Sequence, residues 1–150
     1  MRRREKEISR EAALEIIDRC KFATLATVGE NMVPYAVPLS MARKDDVLYF
    51  HGAKEGHKTT NLNQNANCCV SFVGETKVPE GKFDISYESV TVFGKASQIT
   101  DKDEKTYGLK VISERYTPDN MANFDKVVEV MLERVAVWKI SMDLITGKKN

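Results

Sequence analysis

The feature that most constrains the fold is a long extended run from Ile85 to Ile99, which is interrupted only at Gly94. Glycine inside a strand is typical of a tight bend, such as the corner of a barrel. Apolar residues occur at both odd and even positions of this run, so that Phe93 faces one side of the strand and Val92 the other. The run therefore predicts one bent barrel strand whose second face needs a partner.

Shorter extended segments accompany this run and follow one another as hairpins. Further strands are predicted at 22–28, 32–40, 47–51, 68–73 and 135–141. Pro34 and Pro38 lie in the second of these, and proline cannot donate to a strand ladder, which predicts an edge, a bulge or an interruption. Residues 75–82 are expected to form a loop, and 147–150 a polar tail.

Helical periodicity separates these strands. It predicts a helix after Ser9, a short helix at 57–65, a helix from a capping pattern at Thr100–Asp103 to about Tyr116, and a helix around Phe124–Met131. The strands do not alternate with long helices, so an antiparallel sheet is favoured. We expect a single α+β domain over residues 1–150: a six-stranded barrel with flanking helices.

Composition excludes several classes of function. The net charge of +1 gives no overall electrostatic field that would attract nucleic acid. No apolar run approaches the ~20 residues of a membrane span, and the start has no apolar segment of the kind a secretory signal needs. Three cysteines without a C-x-x-C pattern support neither a zinc ribbon nor a thioredoxin pair, so a cytoplasmic location is expected. The basic Arg2–Arg4 segment is predicted to be a mobile tail.

The most informative stretch for chemistry runs from Phe50 to Lys58, from a strand end through two glycines to a helix start. A helix N-terminus presents free amides to an anion, and Gly56, His57 and Lys58 stand beside it. The stretch predicts a phosphate site or, alternatively, a solvated basic helix start. The spacing of His51 and His57 is poor for a metal, and no metal site is predicted.

Four segments together resemble a known family. They are Pro34–Ser40, Tyr49–Ala53, Gly56–Lys58 and Ser89–Gly94. In this order and spacing they resemble the flavin-binding split-barrel family of pyridoxamine 5'-phosphate oxidase-like proteins, and within it the nitroimidazole-resistance (Nim) proteins. The resemblance covers about residues 8–145.

The resemblance implies a six-stranded split barrel that forms a homodimer with FMN in two grooves at the interface. The resemblance implies that residues of both protomers contact the ring, the ribityl chain or the phosphate of FMN. These cofactor-binding residues are Val37, Pro38, Leu39, Ser40, His51, Gly52, Gly56, His57, Lys58, Ser86, Tyr87, Glu88, Ser89 and Trp138. The family often has Ser or Thr where this chain has Gly52. This chain has no clear counterpart of the arginine pairs that hold the substrate phosphate in true pyridoxamine phosphate oxidases.

The implied activity is that of an FMN-dependent oxidoreductase, which would reduce nitro compounds such as 5-nitroimidazoles with electrons from NAD(P)H or another carrier. His51 is the expected proton donor to substrate, since an ordinary histidine titrates near neutrality; alternatively it only bonds to backbone or ribityl groups. Two other functions remain open: a flavin-binding carrier or sensor without turnover, and a related split barrel that binds haem.

Overall fold

The computed structural model describes residues 3–81 and 83–150. Within these ranges the chain forms eight strands and four α-helices. In chain order they are α1 (Arg10–Arg19), β1 (Ala23–Val28), β2 (Pro34–Leu39), β3 (Ala42–Lys44), β4 (Val47–Gly52), α2 (His57–Gln64), β5 (Asn67–Lys77), β6 (Ser86–Ile99), α3 (Lys102–Tyr116), α4 (Phe124–Arg134), β7 (Ala136–Ser141) and β8 (Leu144–Lys149). Short 3-10 segments lie at Arg4–Lys6 and Pro118–Asn123.

All strand pairs are antiparallel, in the order β2-β1-β5-β6-β7-β4-β3, with β8 also paired to β6. The α+β, mainly antiparallel split barrel is thus confirmed. Two details differ: the described residues form eight strands instead of six, and no hydrogen-bonded ladder joins the outer strands β2 and β3 within them. Of the three alternatives that the prolines of β2 left open, an edge, a bulge or an interruption, the structure shows an edge, because β1 is the only neighbour of β2 in this order of the described strands.

Strand β6 runs through the whole sheet and changes partners at Gly94. On one edge it pairs with β5; on the other it pairs first with β8 and then, beyond Gly94, with β7. A Cβ on Gly94 would lie 1.7 Å from the carbonyl oxygen of Ser141, at the junction of β7 and β8. The glycine is therefore required by close backbone approach, at the position where the sequence predicts a bend.

Two predicted irregular segments are strands in the structure. β5 continues to Lys77, into the expected loop, and the expected polar tail supplies the second half of β8. Gly147 explains why β8 lacks a strand-like sequence: a Cβ there would lie 2.6 Å from Cγ1 of Ile8. Packing of the segment before α1 thus selects a residue that sequence patterns associate with turns.

The helix caps follow local side-chain chemistry. The Oγ of Ser9 accepts from the amide of Ala12 (3.2 Å), as expected for an N-cap. α3 is capped by Asp101, which accepts from the amide of Glu104 (2.8 Å), one residue later than the predicted Thr100. Of the predicted mobile tail, Arg2 lies outside the described residues, Arg3 is the N-cap of the first 3-10 segment, and Arg4 begins that segment.

Two apolar clusters hold the elements together. The larger fills the curved sheet and is closed by α1 through Ile16 and Ile17. The smaller lies between the sheet and α3, around Leu109 and Val137. Burial of this apolar surface is the main stabilising contribution to the fold. In the part of the chain that the structure describes, no helix is both long and apolar enough to cross a membrane.

Candidate functional site

The first turn of α2 contacts two strands from different parts of the sheet. The ring of His57 stacks on Tyr35 of β2, with centroids 4.3 Å apart and planes at 26°. The side chain of Lys58 lies over Gly52 at the end of β4, where a Cβ would be 2.9 Å from its Nζ. The structure therefore brings together three of the segments that the sequence singled out.

The start of α2 has the geometry and charge of an anion site. Gly56 is its N-cap with φ of 129°, a conformation that favours glycine, and its carbonyl accepts from the amide of Thr60 (3.0 Å). The first turn carries no acidic residue. Among the ion pairs of the described residues, no carboxylate partners Lys58. The amides and the lysine thus share a positive local field.

A buried polar contact fixes the position of α2. Asn61 is only 3% exposed, and its Nδ2 donates to Oγ1 of Thr27 on β1 at 3.1 Å. Gly29 allows this approach, since a Cβ there would lie 2.6 Å from Oδ1 of Asn61. Leu62, the next residue of the helix, is also buried. The anion-binding turn is thereby held against the sheet by its own helix.

Strand β2 offers a wall beside this turn. Its exposed residues, such as Pro38, alternate with the half-buried Val37 and Leu39, which pack on the larger core. Ser40 follows at the strand end and is half-buried. Since β2 is an edge strand, the backbone groups facing away from β1 are available to a ligand.

His51 lies on β4, next to Gly52, and is half-buried. Its Nδ1 is buried without a hydrogen-bond partner. Burial lowers the pKa of the ring below its ordinary 6.5, and the nearby charge of Lys58 lowers this pKa further. The neutral imidazole is therefore more strongly favoured than the sequence alone suggested.

The His51 side chain borders a cavity of about 240 Å³ between α3, the second 3-10 segment and α4. We call it the His51 cavity; its other lining residues are Ile112, Ser113, Tyr116, Thr117, Asn120, Met121, Asn123, Phe124, Val127 and Met131. The spacing of Phe124, Val127, Val128 and Met131 predicted a core-facing helix. In the structure Val128 is the buried member of that face, and Val127 is 46% exposed.

A second predicted group lies apart from this site within one chain. Ser86, Tyr87 and Glu88 line a separate groove, and Ser89 follows them on β6. Glu88 is buried and accepts hydrogen bonds from Lys149 (2.6 Å) and Arg19 (2.8 Å). These two bonds hold the pKa of Glu88 below its usual value, and the bond from Lys149 has the larger effect on that pKa. Its carboxylate is thus engaged within the chain, and contact with a cofactor through it is not supported.

Trp138 is not part of the exposed site. It is 1% exposed and packs in the larger core, parallel to Phe50 with centroids 6.2 Å apart. A ligand that approaches from solvent does not reach a ring with this burial, so the expected cover over a flavin ring is corrected to a core role. Conversely, sequence reasoning missed Tyr35, whose only signal was its place between two prolines.

Comparisons with known proteins agree with this geometry. A family model described as pyridoxamine 5'-phosphate oxidase matches residues 9–149. A solved structure of a candidate 5-nitroimidazole antibiotic resistance protein from Bacteroides thetaiotaomicron is 30% identical, with a TM-score of 0.81, over 95% of this chain and 86% of that one.

Two further structures share the fold at lower identity. An FAD- and haem-binding protein from Mycobacterium smegmatis is 24% identical, with a TM-score of 0.84, over 97% of this chain and 73% of that one. A flavocytochrome from Azotobacter vinelandii is 22% identical, with a TM-score of 0.83, over 100% of this chain and 72% of that one. Among curated proteins the comparison found no match.

Proposed function

The chain belongs to the pyridoxamine 5'-phosphate oxidase family, and from that premise we propose that it is an FMN-dependent oxidoreductase for small organic molecules. Nitro compounds such as 5-nitroimidazoles are the first substrates to test, given the name of the 30%-identical structure. The observation that carries the proposal is the first turn of α2, which contacts β2 through Tyr35 and β4 through Gly52.

We assign the phosphate of FMN to this turn. The amides after Gly56 and the ammonium group of Lys58 would donate to it, and His57 is held beside them by Tyr35. The unpaired lysine supports this assignment, because a cation kept beside free amides favours an anionic ligand. FMN has such a group in its phosphate, whereas riboflavin has none.

The flavin ring and ribityl chain would lie along the end of β2. Val37, Pro38, Leu39 and Ser40 supply an apolar surface and the backbone groups that an edge strand leaves free. Bound FMN would supply the electron and hydride chemistry, and NAD(P)H or another carrier would supply the electrons. The protein supplies position and, through His51, a proton donor.

A homodimer would complete the site. The outer face of the sheet exposes Val73 (61%), Phe93 (46%) and Leu144 (54%), of which Phe93 and Leu144 are cross-strand partners. A second copy related by twofold symmetry is the simplest partner for a face of this kind. In that dimer Ser86, Tyr87 and Ser89 of one protomer would approach the flavin of the other.

The alternatives differ in what they bind or do. A flavin carrier would bind FMN without reducing a substrate. A haem protein would use the imidazole of His51 to hold the iron through Nε2, because Nδ1 is buried. The His51 cavity of about 240 Å³ is, however, small for a macrocycle.

The three unpaired thiols fit our further proposal that the protein works in the reducing cytoplasm.

The absorption spectrum of the purified protein tests these functions. We expect a flavin spectrum that is bleached by NAD(P)H without oxygen and restored by a 5-nitroimidazole at a rate above that of free FMN. A flavin spectrum without faster reoxidation would support the carrier. A haem spectrum, or a colourless protein that does not take up FMN, would overturn the proposal.

A further inference from the structure

The His51 cavity has the size of a pocket for one small ring. Its volume is about 240 Å³. Pockets for drug-sized ligands have volumes of roughly 300–1,000 Å³, whereas an engineered apolar cavity of about 150 Å³ binds benzene. The three fused rings and side chain of FMN exceed this space. The cavity therefore suits a different ligand from the flavin.

The walls of the cavity are largely apolar. Side chains of Ile112, Tyr116, Met121, Phe124, Val127 and Met131 line it. Such a surface gains from excluding water, and flexible methionines adapt to the outline of a ring. An aromatic ligand also finds two aromatic residues among these walls, with which it can pack edge to face or offset.

Several polar side chains at the cavity already have partners within the chain. Oγ1 of Thr117 donates to the carbonyl of Ser113 (3.1 Å), and Nδ2 of Asn123 donates to Oδ1 of Asn120 (2.8 Å). The hydroxyl of Tyr116 lies 2.9 Å from two backbone carbonyl oxygens to which it can donate. These groups have less to offer a ligand than an unbonded polar group would have.

Among the polar side chains that line the cavity in the described residues, that of His51 has a buried atom without a hydrogen-bond partner. Its Nδ1 is buried and has no acceptor to hold a proton there. The neutral ring therefore favours the tautomer with its proton on Nε2, the nitrogen that remains for a ligand to reach. Burial and the charge of Lys58 lower the ring pKa, so that this neutral donor prevails at neutral pH.

We infer that the His51 cavity binds a single-ring aromatic or heteroaromatic molecule with a hydrogen-bond acceptor that His51 contacts. The apolar walls hold the ring, and the imidazole selects the acceptor. This binding stands without the flavin. The further statement that the bound molecule is the substrate rests on the proposed function.

Two neutral probes of similar shape test the selection. Acetophenone carries a carbonyl acceptor, whereas isopropylbenzene has a methyl group in its place. Their affinities for the purified protein, with and without FMN, are measured by ligand-observed NMR. We expect acetophenone to bind about tenfold more tightly, the effect of roughly one hydrogen bond. His51→Leu should remove this preference and keep the binding of both probes.

A matched pair of substitutions on α4 tests the location. Val127 lines the cavity and is 46% exposed, whereas Val130 is 49% exposed and does not line it. Val127→Trp should fill the cavity and weaken acetophenone at least tenfold. Val130→Trp should leave the affinity unchanged, and circular dichroism verifies that both variants fold.

The possible failures can be told apart. A folded protein that takes up FMN but binds neither probe, or binds acetophenone equally after Val127→Trp, overturns the inference and leaves the proposed function. Unchanged preference for acetophenone in His51→Leu overturns the role of the imidazole. Probe binding that follows the expected pattern in a protein that never takes up FMN supports the cavity and overturns the proposed function.

Discussion

Lys58 occupies the space that a side chain at Gly52 would need, since a Cβ on the glycine would lie 2.9 Å from both Cε and Nζ of the lysine. The missing side chain at Gly52 makes room for an ammonium group. A cation at this point suits a phosphate ligand.

Substitution of two glycines should separate a flexible contact from a rigid one. In Gly52→Ala the new methyl meets the mobile end of Lys58, so folding stability should fall by less than about 1 kcal/mol while FMN affinity falls severalfold. In Gly94→Ala the methyl meets backbone at 1.7 Å, and stability should fall by about 3 kcal/mol or more. Urea unfolding and FMN titration measure both effects. Equal stability losses in the two variants would contradict the close approach at Gly94.

Among the parts of the FMN molecule, removal of the Lys58 ammonium should affect only the binding of the phosphate. Lys58→Ala is expected to weaken FMN binding by about 1.5–3 kcal/mol, the range for a charge-assisted hydrogen bond. Riboflavin, which lacks the phosphate, should bind the variant and the wild type alike. Lys54→Ala, in the exposed loop before α2, is the control and should change neither affinity. Equal losses for both ligands in Lys58→Ala would argue against the phosphate assignment.

The proton-donor role of His51 has a definite pH dependence. Burial and Lys58 lower its pKa below 6.5, and only the protonated ring can transfer a full proton. The reoxidation rate of reduced flavin at saturating FMN should therefore increase as pH falls through a value below 6.5. His51→Ala should lose about 10²–10⁴-fold of the rate in acid.

A second substitution verifies the cause of this shift. Lys58→Gln removes the neighbouring charge, so the midpoint of the profile should move up toward 6.5. Because Lys58 is also assigned to the phosphate, FMN is kept saturating throughout. A rate that does not vary between about pH 5 and 8 would leave His51 with a binding role only.

Sequence reasoning succeeded where one local rule decides the structure. The glycine bend at Gly94 and the helix start after Ser9 follow from backbone chemistry and were predicted correctly, and the prolines of β2 limited that strand to three alternatives, of which an edge is the one found. β8 was missed because Gly147 is selected by contact with Ile8, far along the chain. The His51 cavity was missed because residues spaced for a core, such as Phe124, border a gap between helices that no local pattern reveals.

A charge on the outer sheet face should disrupt the proposed dimer. Phe93→Asp puts a carboxylate between surfaces that would otherwise be apolar, and its desolvation costs several kcal/mol unless it is paired. Sedimentation should show a dimer for the wild type and a monomer for this variant, which should also bind FMN more weakly. Val130→Asp, on an exposed face of α4, should remain dimeric. A monomeric wild type with bound FMN would refute the shared site.

The Glu88 ion pairs should stabilise the fold only when the carboxylate is charged. The bond from Lys149, followed by that from Arg19, lowers its pKa below 4.5, so this contribution is present above about pH 4.5 and lost as pH falls through the lower folded value. Glu88→Gln should cost about 1.5 kcal/mol at neutral pH, since both cations are more than half exposed, and less in acid.

Glu75 provides the control for this change. It lies 3.7 Å from the same arginine, Arg19, but its side chain is 85% exposed. Glu75→Gln should therefore change stability by less than about 0.5 kcal/mol at any pH. Urea unfolding at neutral and acidic pH measures both variants. An equal loss for Glu88→Gln at both pH values would show that packing, and not charge, accounts for its effect.

The course of β6 through both parts of the sheet has a mechanical consequence. The strand that carries Val37 and the strand that carries His51 lie toward opposite ends of the sheet order, and among the described strands β6 joins the two halves of the sheet. A continuous strand with no loop inside it cannot act as a hinge. The distance between the Val37 strand and the His51 strand is therefore fixed when the protein folds. Adaptation to molecules of different size must come from the helices and the connecting loops.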